Sequence, residues 1–249
     1  VSPVGVIGGT ALADLAGLAA KRPPAIADTP YGPSSGPLVA GTFAGRDVVF
    51  VVRHGAGHKI APHAINYRAN IAALAAAGCK QVIAVAAVGG IDDAARPGRI
   101  VVPDQIIDYS WGRCHTFYDD PATDGLDHID FTEPYDPVLR RVLLDGADKL
   151  GLDALDGGVH GVTQGPRLET AAEINRMAAD GCHIVGMTGM PEAALAREAG
   201  LSYACLAVVV NKAAGRTGGL AIHAEIEATL AAAMADVEAL LGTVVPSCG

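Results

Sequence analysis

Aromatic residues make up only 4% of the chain's 249 residues, and 18 Lys and Arg stand against 27 Asp and Glu. A chain short of stacking rings and of cations, with a formal net charge of −9, is poorly equipped to hold nucleic acid or an anionic membrane surface. Long apolar runs are missing too. Residues 201–210 are interrupted by Ser202 and Tyr203, whereas a membrane-spanning helix needs about 20 mostly apolar residues. No basic stretch follows Val1-Ser2-Pro3 ahead of the first apolar segment, so no secretory leader is expected. The five cysteines, Cys79, Cys114, Cys182, Cys205 and Cys248, are odd in number and form no C-x-x-C. Reduced thiols and a cytoplasmic location are the expectation. The dinucleotide pattern G-x-G-x-x-G, the Walker sequence and H-E-x-x-H are all absent. His54, His58 and His63 lie around Gly55 and Gly57 rather than on a helix face, so neither a metal nor a resident cofactor is expected. A serine hydrolase is not expected either.

Half of the chain is hydrophobic and 31 residues are Gly, enough to bury a sizeable core without disulfides or structural metal. Short β-branched runs alternate with helical stretches. Strands are expected over 4–7, 38–42, 47–52, 81–87, 98–107, 158–162, 184–187 and 203–210. The second and third form a hairpin through Ala44-Gly45-Arg46, and Pro103 marks an edge or a bend. Helices are expected over 11–18, 63–77, 137–150, 169–179, 191–199 and 223–241, with Gly78 stopping the second. The proline-rich stretch 23–37 reads as a loop, and the polar stretch 108–135 as a functional loop or a disordered segment. This alternation predicts one α/β domain over 1–249, a three-layer mixed β-sheet flanked by helices on both faces.

In such sheets ligands bind beyond the carboxyl ends of strands, and five of these ends carry unusual residues. Gly8-Gly9-Thr10 can turn backbone N–H groups and a hydroxyl toward an anion, or can be a plain tight turn. Arg53-His54-Gly55 offers a guanidinium fork for phosphate or carboxylate, or a surface ion pair. Glu169 is expected in the first turn of the 169–179 helix, as a site carboxylate or a capping device. Met187 and Thr188 lie in the next strand-to-helix turn, where methionines also serve as core filler. Asn211 ends the wholly apolar run Val208-Val209-Val210, as a ligand or as a turn residue.

Taken together, Val6-Ile7-Gly8-Gly9-Thr10, Thr29-Pro30-Tyr31-Gly32, Arg53-His54-Gly55, Pro62 to Asn70, Ala87-Val88-Gly89-Gly90, Pro97 to Gln105, His128-Ile129-Asp130-Phe131, Gln164-Gly165-Pro166-Arg167 and Gly186 to Glu192 form an ordered set. In this set the chain resembles, along almost its whole length, the trimeric purine nucleoside phosphorylase and methylthioadenosine phosphorylase family. The resemblance implies a phosphorylase/hydrolase-like fold and a reaction in which inorganic phosphate, a co-substrate rather than a cofactor, attacks C1′ of a purine nucleoside in salvage. It implies a phosphate site of Thr10, Arg53, His54, the Ala87 backbone N–H and Thr188. Met187 would lie under the ribose, and His128 would reach a neighbouring subunit's site in a homotrimer or hexamer. Ala86 stands where relatives commonly carry a hydroxyl or amide, so backbone contacts must serve there. The positive charge for phosphate is expected to concentrate at Arg53.

Glu169 and Asn211 narrow the base, because adenosine-type relatives carry a small hydroxyl residue and an Asp at these positions. A carboxylate accepts N1–H of a 6-oxopurine but meets the bare N1 of adenine acceptor to acceptor, a mismatch of about 1–3 kcal/mol. The Asn211 amide can donate to O6 and accept from N7–H. Glu169, Asn211 and His54 thus form the expected catalytic set, acting on S-methyl-5′-thioinosine or on inosine and guanosine. The chain looks most like bacterial methylthioinosine phosphorylases, yet His223 stands near where inosine phosphorylases hold the 5′-hydroxyl. A methylthioadenosine phosphorylase, a nucleosidase that uses water, and a non-catalytic nucleoside-binding protein are the alternatives.

Overall fold

The computed structural model describes residues 1–9, 12, 14–22, 29–119, 125–216 and 222–249, less the side chains of 222–225, 227, 228 and 231. Its strands are β1 (Val4–Gly8), β2 (Ala19–Arg22), β3 (Val39–Phe43), β4 (Arg46–Val52), β5 (Gln81–Gly90), β6 (Ile100–Val102), β7 (Gln105–Asp108), β8 (Ala154–Asp156), β9 (Val159–Val162), β10 (Cys182–Gly186) and β11 (Ser202–Lys212). The helices are α1 (Tyr67–Ala76), α2 (Pro137–Leu150), α3 (Ala171–Ala179), α4 (Gly189–Glu198) and α5 (Ile222–Val244). The strands form one mixed sheet ordered β2-β3-β4-β1-β5-β10-β9-β7, with β11 along the other side of β5 and continuing through β6 to β8.

Strand β5 shows why the fold has three layers. Its side chains alternate, Ile83 and Val85 joining the core formed with α2 and α5, while Val82, Ala84, Ala86 and Val88 join the core formed with α1 and α4. Local signals set the helix ends. Asp136 accepts from Leu139 N at 2.7 Å ahead of Pro137, and α2 stops at Gly151 with φ of 67°. The β3–β4 hairpin turns through Ala44 and Gly45, both at positive φ (48° and 80°), which matches the twist of the two strands.

Several sequence expectations shift. Residues 12 and 14–18 form turns rather than a helix. Leu12, Leu15 and Leu18 are buried at helix-like spacing, but Gly17 takes φ of 81° and the only local backbone–backbone bonds, among the described residues, are single turns closed by Leu12 N and Leu18 N. The 98–107 extension breaks at Pro103 into β6 and β7, which pair with different neighbours. Strand β2 went unanticipated because all four of its residues are exposed and carry no alternation. Of the loop over 108–135, residues 109–119 and 125–135 contain no helix or strand.

Candidate active site

The sheet itself opens the cleft. Along one edge of β5, β1 pairs with Gln81 to Ala84 and antiparallel β10 pairs only with Gly89 and Gly90. The edge between them is left without a strand partner. The ends of β1, β4 and β10 converge on this gap, and the cleft there measures about 250 Å³. Gly9, Arg53, His54, Ala86, Ala87, Glu169, Met187, Thr188 and Asn211 all line it. Residues far apart in sequence are therefore brought to one place. Thr10 lies outside the described residues, as does the side chain of His223, whose backbone is in the first turn of α5. His128 is exposed and lines no part of its own chain's cleft.

Arg53 is neither an unpaired fork nor a surface ion pair. It is 1% exposed, and its Nε and Nη2 donate to the two carboxylate oxygens of Glu192 at 2.6 and 2.7 Å, while Nη1 donates to Val85 O at 3.1 Å. Glu192, 0% exposed, also accepts from the Tyr203 hydroxyl at 2.8 Å. Burial pulls the Arg53 pKa down, but the charge and hydrogen bonds of Glu192 outweigh it, so the guanidinium stays fully protonated. Gly9 makes room for it, since a Cβ there would stand 2.6 Å from Val85 O and 3.1 Å from Arg53 Nη1.

His54 is neutral. Its Nδ1 lies 2.8 Å from Ile60 O; because a carbonyl only accepts, Nδ1 carries the proton and Nε2 is left as an acceptor. Burial, joined by the charges of Arg53 and His58, pushes its pKa down to about 4. Thr188 occupies the N-cap of α4, yet its side chain makes no capping bond, which leaves the hydroxyl available to a ligand. Ala86 lines the cleft with a methyl group.

Glu169 lies before α3 rather than in its first turn. Thr170 takes the N-cap and Glu173 completes the capping box, with bonds of 3.1 and 2.7 Å. Relieved of that task, Glu169 lines the cleft, and its Oε1 accepts from the Thr163 hydroxyl at 2.6 Å. Asn211 follows a bulge between Val209 and Asn211 in the β5–β11 ladder, the device that re-aims side chains beside functional sites. Its amide donates to Lys212 O at 2.6 Å.

With the geometry in place, similarity to known proteins decides the family. Residues 3–246 match the sequence model of the phosphorylase superfamily. The chain belongs to the phosphorylase superfamily. A probable S-methyl-5′-thioinosine phosphorylase of Xanthomonas campestris is 49% identical over 95% of this chain and 94% of its own. A 6-oxopurine nucleoside phosphorylase of Pyrococcus furiosus is 40% identical over 98% and 92%. Among solved structures, a methylthioadenosine phosphorylase of Schistosoma mansoni in complex with adenine superposes with a TM-score of 0.92 at 31% identity, covering 99% of this chain and 92% of that one.

This phosphorylase also uses residues that the sequence did not flag. Arg113, from the long polar loop, donates through Nη1 to Met187 O at 2.9 Å and through Nη2 to Thr163 O and Gln164 O, both at 3.0 Å. One buried guanidinium thus ties together the two turns that carry Met187 and Glu169. His160 is 0% exposed, with Nδ1 3.0 Å from the Tyr135 hydroxyl and Nε2 unpartnered among the described residues. Gly186 and Gly189 admit its ring, since a Cβ at either would lie 2.6 and 3.0 Å from it. Gly32-Pro33-Ser34-Ser35-Gly36 does spell the G-x-S-x-G of serine hydrolases. It lies in a loop rather than on a strand-to-helix elbow, and Ser34 Oγ is spent on Gly36 O at 2.7 Å.

Proposed function

We propose that the protein catalyses phosphorolysis of 6-oxopurine nucleosides, with S-methyl-5′-thioinosine as the preferred substrate. Glu169 carries this assignment. Glu169 lines the cleft; one carboxylate oxygen accepts from Thr163, and the other, with no partner among the described residues, is the acceptor for N1–H of the base. Asn211, which also lines the cleft, supports it by donating to O6 and accepting from N7–H. Adenine offers a lone pair at N1, so the same carboxylate discriminates against it. Ala213, Ala214 and Ile226 give the cleft an apolar wall, which suits a methylthio group better than a hydroxyl. The likeness to methylthioinosine phosphorylases points the same way.

In the reaction an oxygen of hydrogen phosphate forms the bond to C1′ as the C1′–N9 bond breaks. The electron pair leaves with the purine, and the phosphate's proton ends on the base. Arg53, Thr188, His54 and the open edge of β5 at Ala87 hold the phosphate, and Met187 underlies the sugar. Fixing the nucleophile beside C1′ removes the entropy of encounter, and its negative charge stabilises the cationic sugar. His128, exposed and not lining its own chain's cleft, suits a homotrimer in which it completes a neighbour's site.

Initial rates with inosine, guanosine, adenosine and their 5′-methylthio forms, with and without phosphate, test this. Turnover is expected only with phosphate and chiefly with 6-oxopurines. Phosphate-independent release of base would mean a nucleosidase, and tight binding with no ribose 1-phosphate formed would mean a binding protein.

A further inference from the structure

The paired state of Arg53 has a consequence for the phosphate site proposed above, on which this inference rests. Arg53 is the one Lys or Arg among the described residues that line the cleft. Two of its five N–H donors face Glu192 and a third goes to Val85 O, which leaves two for a ligand. Both partners of the pair are buried, so solvent and salt do little to screen the Glu192 charge from the cleft. The neutral ring of His54 adds no charge of its own.

We propose that Glu192 is a positioning residue that sets the charge of the phosphate site. It fixes the Arg53 fork and cancels its charge, so that bound phosphate is held by N–H and O–H donors without being neutralised. The reason lies in the transition state. The cationic sugar is stabilised by the charge that phosphate retains, and an unpaired arginine on the far side of the phosphate would draw that charge away. Such a cation would tighten ground-state binding and weaken the interaction that matters for rate. The Tyr203 hydroxyl completes the arrangement by holding Glu192 Oε1 at 2.8 Å.

The test uses the full-length protein and inorganic phosphate, with the phosphate dependence of the wild type as control. If the wild type releases base without phosphate, the function proposed above fails, whatever the variants do. Given that control, Glu192→Gln frees the Arg53 charge. KM for phosphate is expected to fall about threefold and kcat to fall about tenfold. A KM for phosphate that rises, or a kcat that is unchanged, overturns the inference and leaves Glu192 as a structural partner only. Losing one member of a buried pair can also unfold the chain, so a second variant is charge-balanced. In Arg53→Gln/Glu192→Gln the net charge of the site is the same as in the wild type. The two free Arg53 donors are lost as well, so KM for phosphate rises, but kcat is expected to recover above that of Glu192→Gln. A kcat no higher than in Glu192→Gln refutes the inference.

Discussion

Replacing Glu169 with Gln tests the proposed base pocket at a single atom. Thr163 Oγ1 donates to Glu169 Oε1 at 2.6 Å, so only Oε2 is left for the base. A bond from N1–H to that charged oxygen contributes about 1.5–3 kcal/mol, which at 1.36 kcal/mol per tenfold is about 10–150-fold in kcat/KM. In Glu169→Gln, Thr163 keeps the amide oxygen on its own side and turns the NH₂ toward the base. That NH₂ opposes N1–H of a 6-oxopurine donor to donor, but it donates to the bare N1 of adenine. The expected outcome is a loss of about 100-fold for S-methyl-5′-thioinosine, with a gain for methylthioadenosine. The measurement is kcat/KM for both nucleosides at saturating phosphate. A preference ratio within about threefold of wild type would refute the placement of Glu169 at N1.

Other outcomes follow from the same geometry. Asn211→Asp should move preference toward 6-aminopurines, and more so when combined with Glu169→Ser; an unchanged preference in the nucleoside panel would count against the pocket. Burial, with a lesser contribution from the Arg53 charge, holds His160 at a pKa of about 4, so between pH 6.5 and 4 the unfolded chain binds a proton that the folded chain refuses. Stability is therefore full above pH 6.5 and falls as pH drops, by about 2 kcal/mol at pH 5 from this residue; urea midpoints at pH 7.5 and 5 should differ less in His160→Phe than in wild type. Arg113→Met strips the shared donor from the Met187, Thr163 and Gln164 carbonyls. It should raise KM for nucleoside and lower stability by about 2–4 kcal/mol, read from steady-state kinetics and denaturant titration. If His223 reads a 5′-hydroxyl, His223→Ala should reduce inosine turnover far more than methylthioinosine turnover, and equal losses would remove that role.

Much of the fold was legible because burial writes a period into the chain. Strands β4 and β5 are continuous apolar runs of strand length and the β3–β4 hairpin has its own turn residues, signals that need no tertiary information, and Asp136-Pro137 and Gly151 punctuate α2 by themselves. The segment 11–18 shows the limit, because three leucines at helical spacing also fit a chain of buried turns when Gly17 breaks the backbone. Arg113 sits in a loop with no period at all, so nothing local marks it as the residue holding two turns together. Glu192 was visible within Gly186 to Glu192, yet its partner Arg53 lies 139 residues away.

The sequence by itself determined the layers, the strand ends and the types of residue gathered at them, because hydrophobic period and turn residues act over a few positions. It also carried Glu169 and Asn211, whose donor and acceptor patterns are intrinsic to the side chains. Only the tertiary structure decided what those groups are free to do. The divergence of β1 and β10 along β5 opened the cleft. Glu192 turned an expected cation into a balanced pair. Ionic and hydrogen-bond partners are chosen by proximity in space, and a net charge of −9 carries no record of which carboxylate stands behind which arginine.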